Sequence, residues 1–192
     1  MKLKKSLGSR PRVLVLQETF LKKEEMLKLK IRGYRVVAAT SGAETSNQYQ
    51  RRGCAILVDL FLNVQPLKEI TIDKTELLGV KVVCDTEQTY VHPFEHWTAY
   101  SGPIRSEAIK SKTILVDLCN NRKSRLILTG DLNSDLSPGG SEVCKAIREV
   151  LEKMEEEGQA LILNEYDKRT KPNGTLLYLA VTMGNWLGVC IP

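Results

Sequence analysis

The most constraining feature of the sequence is a short stretch at residues 125–129 with the apolar core Leu-Ile-Leu, which stops at Gly130 and is followed by Asp131 and Asn133. Such a run, bounded by Gly and Asn, predicts a strand in a covered sheet, and ligands bind at the carboxyl ends of such strands. Alternate residues of an extended chain point the same way, so the carboxylate and the carboxamide would face one ligand. The pattern indicates a phosphate-metal site; the alternative is a strand followed by an Asx turn.

The composition is that of one ordinary globular domain, because the 192 residues are 42% hydrophobic and 27% charged. The net charge of +5 favours a polyanionic partner. Five widely spaced cysteines argue against a disulfide framework or a zinc site and predict reduced thiols. No apolar run approaches the ~20 residues that span a bilayer, so we expect an intracellular protein, nuclear or cytoplasmic, without a membrane partner.

Two further polar side chains are predicted at strand ends. A strand over residues 12–16 leads to Glu18, and one over residues 95–100 ends with Tyr100. The alternative for Glu18 is a first-turn acid of a helix predicted over residues 21–33. The alternative for Tyr100 is a core residue whose hydroxyl is satisfied.

Short β-favouring runs separated by turn residues predict most of the remaining structure. Helical spacing of apolar residues predicts helices over residues 104–118 and 141–157. The polar segment 40–52 ends in Arg51 and Arg52, which could contact phosphate or lie in a solvated loop. Further strands are predicted at residues 34–39, 53–58, 68–72, 79–87, 160–163 and 175–182, with turns near 63–66 and 73–74.

Four segments occur in an informative order: LQET at 16–19, TAYSGP at 98–103, GDLNSDL at 130–136 and GTLLYLAVT at 174–182. Together they resemble the motif series of the endonuclease/exonuclease/phosphatase superfamily. Within it, the chain most resembles the endonuclease domain of non-LTR (LINE-type) retrotransposons. RRGCAILV at 51–58 and EEGQALILNE at 156–165 resemble further segments of that domain. We expect the domain at residues 12–186, between a basic segment 1–11 and a tail 187–192.

The resemblance implies an α/β (α+β) fold, a four-layered sandwich of two packed mixed β-sheets flanked by helices. It also implies hydrolysis of DNA phosphodiesters with Mg²⁺ or Mn²⁺, which nicks target DNA for retrotransposition. A full-length relative would carry a reverse transcriptase domain.

The resemblance also assigns roles to residues of this sequence. Glu18 would hold the metal, Asp131 with Asn133 would orient the attacking water and contact the phosphate, and Tyr100 would hydrogen-bond the phosphate. Mg²⁺ is a hard cation usually held by one or two carboxylates plus water and phosphate oxygens, which suits these residue types. The residues expected to contact DNA are Arg51, Arg52, Arg169 and Thr170.

The sequence departs from the family pattern in three places. Tyr178 stands where the family has an aspartate, no histidine follows His96, and no strand bearing an active-site asparagine precedes residue 12. The sequence therefore looks truncated at both ends, and we expect an incomplete sandwich with weak or no hydrolysis.

Two other functions stay open. One is a phosphatase-like enzyme for a small phosphorylated molecule. The other is a non-catalytic nucleic-acid binding module that uses basic residues. These residues are Arg51, Arg52, Arg122, Lys123 and the segment 168–171.

Overall fold

The structure is a computed structural model that describes residues 11–40, 53–67, 70–72, 75–83, 93–100, 125–131, 142–162 and 178–183. Within these ranges, ten strands form two sheets accompanied by two helices. The elements in chain order are β1 Val13–Leu16, α1 Lys23–Met26, β2 Tyr34–Ala39, β3 Ala55–Asp59, β4 Val64–Pro66, β5 Ile70–Ile72, β6 Thr75–Val82, β7 Phe94–Tyr100, β8 Leu126–Asp131, α2 Glu142–Glu156, β9 Ala160–Ile162 and β10 Tyr178–Met183.

The smaller sheet has the order β1-β3-β2 and is antiparallel throughout. Its central strand β3 is buried from Ala55 to Val58, as a strand covered on both faces should be. Leu16 pairs with Ala55, so the end of β1 lies beside the start of β3. This register places the residues after β1 next to Gly53.

The larger sheet has the order β4-β6-β7-β8-β10-β9, with β5 also paired to β6. Its central strands β7 and β8 are parallel, whereas β6 with β7 and β8 with β10 are antiparallel. Tyr100 and Asp131, the last residues of the two parallel strands, are partners in the register. Parallel strands end at the same edge, so both residues lie at one rim of the sheet.

The two sheets pack face to face. The core between them contains Ile56 and Val58 from the smaller sheet with Val80, Val82 and Tyr100 from the larger one. A second cluster covers the other face of the smaller sheet and contains Met26 of α1 with Ala39, Ala55 and Leu57. This arrangement confirms the predicted α/β fold of two packed sheets with flanking helices.

The long helix α2 is confirmed close to its predicted bounds. Leu151 and Met154 are buried three residues apart, while Lys153 and Glu155 are exposed, as expected of an amphipathic surface helix. Among the described residues, no helix is both long and apolar enough to cross a membrane. The helix predicted over residues 104–118 lies outside the described ranges.

Three local predictions were wrong. The strand predicted over residues 79–87 is strand β6, which begins four residues earlier, at Thr75, and ends at Val82. The helix predicted over residues 21–33 is reduced to the single turn Lys23–Met26, because only Met26 of this segment is fully buried while Leu27 and Ile31 remain exposed. The turn predicted at 63–66 is strand β4, in which Pro66 pairs opposite Val80. Proline is compatible with this position because β4 lies at the edge of the sheet.

His96 in β7 gives the fold a specific pH dependence. Its Nε2 lies 3.1 Å from Thr129 Oγ1, and burial lowers the pKa of His96 from 6.5 to about 4. The unfolded chain therefore binds a proton near pH 6.5 that the folded protein takes up only near pH 4, so stability falls as the pH drops through this window. Between pH 7 and pH 5 we expect this residue to lower the unfolding free energy by about 2 kcal/mol.

Urea unfolding at both pH values measures this effect. In His96→Gln, the difference in unfolding free energy between pH 7 and pH 5 should be smaller than in wild type by about 2 kcal/mol. An unchanged difference would show that His96 titrates normally in the folded protein.

Candidate functional site

Three predicted site residues belong to strand ends that meet at one rim. Glu18 follows β1, Tyr100 ends β7 and Asp131 ends β8. Gln17 joins the two sheets here, since its Nε2 donates to Thr98 Oγ1 at 2.8 Å and to the Ala99 carbonyl at 2.9 Å. The end of β1 is thereby fixed against the end of β7.

Tyr100 and Glu18 are in direct contact. The Tyr100 hydroxyl donates to Glu18 Oε1 at 2.6 Å, a short charge-assisted hydrogen bond. Tyr100 is 2% exposed, whereas Glu18 lies at the surface. A buried, rigid phenol therefore holds a solvent-accessible carboxylate in a defined position.

The backbone around Glu18 is in an uncommon conformation. Glu18 and Phe20 have φ values of 51° and 58°, in the left-handed region that disfavours such side chains. Thr19 anchors the segment between them, because its amide and its hydroxyl both donate to the Gly53 carbonyl at 3.1 Å. Non-glycine residues in this region cost about 1–3 kcal/mol each and cluster at functional sites.

Gly53 makes this anchoring possible. Its φ is 90°, and a Cβ atom there would lie 2.8 Å from Thr19 Oγ1. A larger residue would therefore push the Thr19 segment away from β3.

The helical alternative for Glu18 does not apply. Helix α1 begins at Lys23, and its first-turn acids are Glu24 and Glu25. The backbone amide of Lys22 donates to Glu25 Oε2 at 2.8 Å, so Glu25 supports the start of this helix. Glu18 instead occupies the strained turn between β1 and α1.

Asp131 lies between two tyrosines in the sheet register. Its partner in β7 is Tyr100, and its partner in β10 is Tyr178. Asp131 is 6% exposed, so a carboxylate has been placed in a mostly buried position at the strand end. Buried charge is retained where the surroundings compensate for lost hydration, which is common at functional sites.

A buried polar cluster behind the rim was missed by the sequence predictions. Thr40 Oγ1 donates to Glu76 Oε2 at 2.7 Å and accepts from the Cys54 amide at 2.9 Å. Thr40 follows β2 and Glu76 belongs to β6, so this hydrogen bond joins the two sheets. Glu76 is the register partner of Tyr100, which places the cluster next to the site. Glu76 lies between the strands predicted at 68–72 and 79–87, so the sequence pattern contained no signal for this cluster.

The same cluster explains the state of Cys54. Burial, and secondarily the Glu76 carboxylate, raise the pKa of the Cys54 thiol far above its usual range. The thiol is therefore protonated and unreactive at neutral pH, as expected of a buried, reduced cysteine.

Replacing Thr40 tests the energetic importance of the cluster. Thr40→Val keeps the shape but removes one hydrogen-bond donor of a buried carboxylate and the acceptor of the Cys54 amide. We expect the unfolding free energy to fall by about 3 kcal/mol, measured by urea denaturation. Thr40→Ser, which keeps the hydroxyl, should cost only about 1 kcal/mol. Equal losses would mean that the hydroxyl contributes little.

The donor set determines which metal could bind. Within the described ranges, no group of three or more His, Cys, Asp or Glu side chains could hold a metal ion. An exposed carboxylate such as Glu18, at the same rim as a second carboxylate at Asp131, suits Mg²⁺ or Mn²⁺ because these ions keep several waters. The residues present therefore fit a hydrated divalent cation.

The other predicted site residues lie outside the described ranges, so the alternatives weighed for them stay open. They are Arg51, Arg52, Asn133, Arg169 and Thr170.

Comparisons with known proteins agree with this architecture. The sequence over residues 5–186 matches the Endonuclease/Exonuclease/phosphatase family. No curated protein matches at a significant level.

Solved structures with a similar fold include the endonuclease domain of TRAS1, a telomere-specific non-LTR retrotransposon. It has a TM-score of 0.58 and 18% identity, and the match covers 90% of this chain and 73% of that one. The human Nocturnin catalytic domain with bound sulfate has a TM-score of 0.55 and 12% identity, with 90% and 69% coverage. An endonuclease/exonuclease/phosphatase family protein from Bacteroides thetaiotaomicron has a TM-score of 0.57 and 12% identity, and the match covers 90% of this chain and 69% of that one. Because the family match spans nearly the whole sequence, the chain belongs to the endonuclease/exonuclease/phosphatase family.

Proposed function

We propose that this protein is a Mg²⁺- or Mn²⁺-dependent hydrolase of DNA phosphodiester bonds with low turnover. The observation that carries the proposal is the Tyr100–Glu18 hydrogen bond at the rim where Asp131 also lies. A retrotransposon endonuclease domain among the similar folds supports DNA as the substrate. In that setting the nick would prime reverse transcription, and a reverse transcriptase domain would be the functional partner.

Each residue has a distinct task in this proposal. The surface carboxylate of Glu18 would hold the metal, and Tyr100 keeps that carboxylate in position. The bound cation would stabilise charge that develops on the phosphoryl oxygens. Asp131 accepts a hydrogen bond from the attacking water and orients it towards phosphorus.

Tyr100 is better suited to positioning than to direct contact with the phosphate. A phenol has one proton to donate, and here that proton is donated to Glu18 Oε1. Donation to a phosphate oxygen would require this hydrogen bond to break. We therefore propose Tyr100 as a positioning residue for Glu18.

Tyr178 is the reason to expect low turnover. It is the register partner of Asp131 in β10, at the position where the resemblance implies an aspartate. A phenol does not replace the carboxylate of an aspartate as a hydrogen-bond acceptor with two charged oxygens. Removing one member of a catalytic group commonly lowers rates by several orders of magnitude.

Binding of DNA without hydrolysis is the second candidate function. The presence of Tyr178 in place of the family's aspartate favours this second function, because DNA binding depends on phosphate contacts rather than on the full catalytic group. Steep weakening of DNA binding with salt, without strand cleavage, would identify this function.

Nicking of supercoiled plasmid tests the proposal. We expect slow, Mg²⁺-dependent conversion to the open circle, no conversion with EDTA, and a loss of about 100-fold or more in Asp131→Asn. Cleavage that survives the chelator, or an unchanged rate in Asp131→Asn, would contradict it. Turnover of small phosphomonoesters without nicking would instead indicate a phosphatase.

A further inference from the structure

Phe20 is an aromatic residue whose placement is not explained by the core. Its side chain is 53% exposed, and its φ of 58° lies in a region where a bulky residue is a genuine outlier. It follows Glu18 by two residues, a distance of at most ~7 Å along the backbone. An apolar ring is thus held at the protein surface next to the proposed metal ligand.

Local hydrogen bonds hold the backbone on both sides of Phe20. Thr19 is bound to the Gly53 carbonyl through its amide and its hydroxyl, each at 3.1 Å. The amide of Leu21 donates to Thr19 Oγ1 at 3.4 Å. The ring is therefore presented from a pinned segment.

Charged side chains of both signs lie close to Phe20 in the sequence. Glu18, Lys22, Glu24 and Glu25 are exposed within five residues of it, and the net charge of +5 over the whole chain favours a nucleic acid. Aromatic rings interleaved with cations are typical of surfaces that stack bases while tracking the phosphate backbone. DNA rises ~3.4 Å per nucleotide of a strand, and the Cα atoms of Glu18 and Phe20 are at most ~7 Å apart, which corresponds to one or two nucleotide steps from a phosphate held at Glu18.

We propose that Phe20 stacks on a nucleobase next to the scissile phosphate and thereby positions the DNA strand on the Glu18 site. This role rests on the proposed function, because it assumes that DNA is the ligand. Stacking on a base is tolerant of sequence, since every base has a π face. Phe20 would therefore set the position of cleavage relative to the strand rather than a particular target sequence.

The chain offers a matched control for this residue. Phe61 is 91% exposed in the turn after β3, where its amide donates to Asp59 Oδ1 at 2.9 Å. Because β1 and β3 are antiparallel, the residues after β3 and those after β1 lie at opposite ends of the smaller sheet. Phe61 is thus the same side chain, more exposed, and far from the proposed site.

The experiment measures binding of a fluorescent 20-nucleotide duplex with phosphorothioate linkages, which suppress turnover, in the presence of Mg²⁺. We expect Phe20→Gly to weaken binding about 10-fold or more, and Phe20→Tyr, which keeps a stacking ring, to stay close to wild type. Phe61→Gly should bind within about twofold of wild type.

Stability of the same variants separates stacking from a structural role. Glycine adopts positive φ without strain, so Phe20→Gly should keep or raise the midpoint of urea unfolding while it loses affinity for DNA. Binding within about twofold of wild type, or a loss of stability that accompanies the loss of binding, would overturn the proposal. If wild type itself fails to bind the duplex, DNA is not the ligand and the proposed function fails together with it.

Discussion

Replacing Gly130 with alanine is expected to lower the unfolding free energy by about 3 kcal/mol or more. A Cβ atom at Gly130 would lie 1.9 Å from the Ala99 carbonyl oxygen, and 2.9 Å from the Ala99 nitrogen and carbonyl carbon. These are backbone atoms of the paired strand β7, so no side-chain rotation can relieve the overlap. Strands β7 and β8 would have to separate where they carry Tyr100 and Asp131. Urea denaturation measures the loss.

Gly158 provides the control for this substitution. It follows α2 with a φ of 68°, and a Cβ atom there meets nothing within 4 Å. Gly158→Ala should therefore cost only the strain of a positive φ, about 1 kcal/mol. Equal losses for the two variants would show that close approach of β7 and β8 does not matter.

Glu18→Gln should reduce Mg²⁺-dependent plasmid nicking by about 100-fold or more, because the amide cannot supply the negative charge that holds the cation. The variant keeps the size of the side chain and an oxygen that can accept from Tyr100, so the fold should persist. The nicking rate is measured at saturating Mg²⁺.

Glu24→Gln is the matched control for Glu18→Gln. Glu24 is also an exposed glutamate, six positions further along the chain in the first turn of α1. Its substitution should leave the nicking rate within about twofold of wild type. Equal rates for both variants would remove Glu18 from the site.

The sequence predicted those elements whose local pattern agrees with their final packing. The strand Tyr34–Ala39 has its predicted bounds, and the helix Glu142–Glu156 lies within its predicted range, because apolar spacing matches the buried face in both. The helix Lys23–Met26 is shorter than predicted, because apolar residues such as Leu27 have the spacing of a helix but remain exposed in the structure. Strand β4 was missed because its pairing with β6 outweighs the turn preference of Asn and Pro.

In the candidate site, the sequence likewise predicted local features but not the contacts between the two sheets. Placement of Glu18, Tyr100 and Asp131 at strand ends follows from the apolar runs that precede them. The family resemblance predicted that Glu18 and Tyr100 belong to one site, with Tyr100 bonded to the phosphate. The hydrogen bond between the two side chains, 82 residues apart, was not predicted because it depends on the packing of two sheets. Periodicity gave no sign of the Thr40–Glu76 hydrogen bond, which also joins the two sheets.

The central claim is that Glu18, held by Tyr100 beside Asp131, binds a divalent cation. Binding of Mn²⁺, followed by electron paramagnetic resonance and competed with Mg²⁺, measures this independently of turnover. We predict one Mg²⁺-competable site in wild type and Glu24→Gln, and a loss of affinity of about 10-fold or more in Glu18→Gln. Equal Mn²⁺ affinity in wild type and Glu18→Gln would contradict the account.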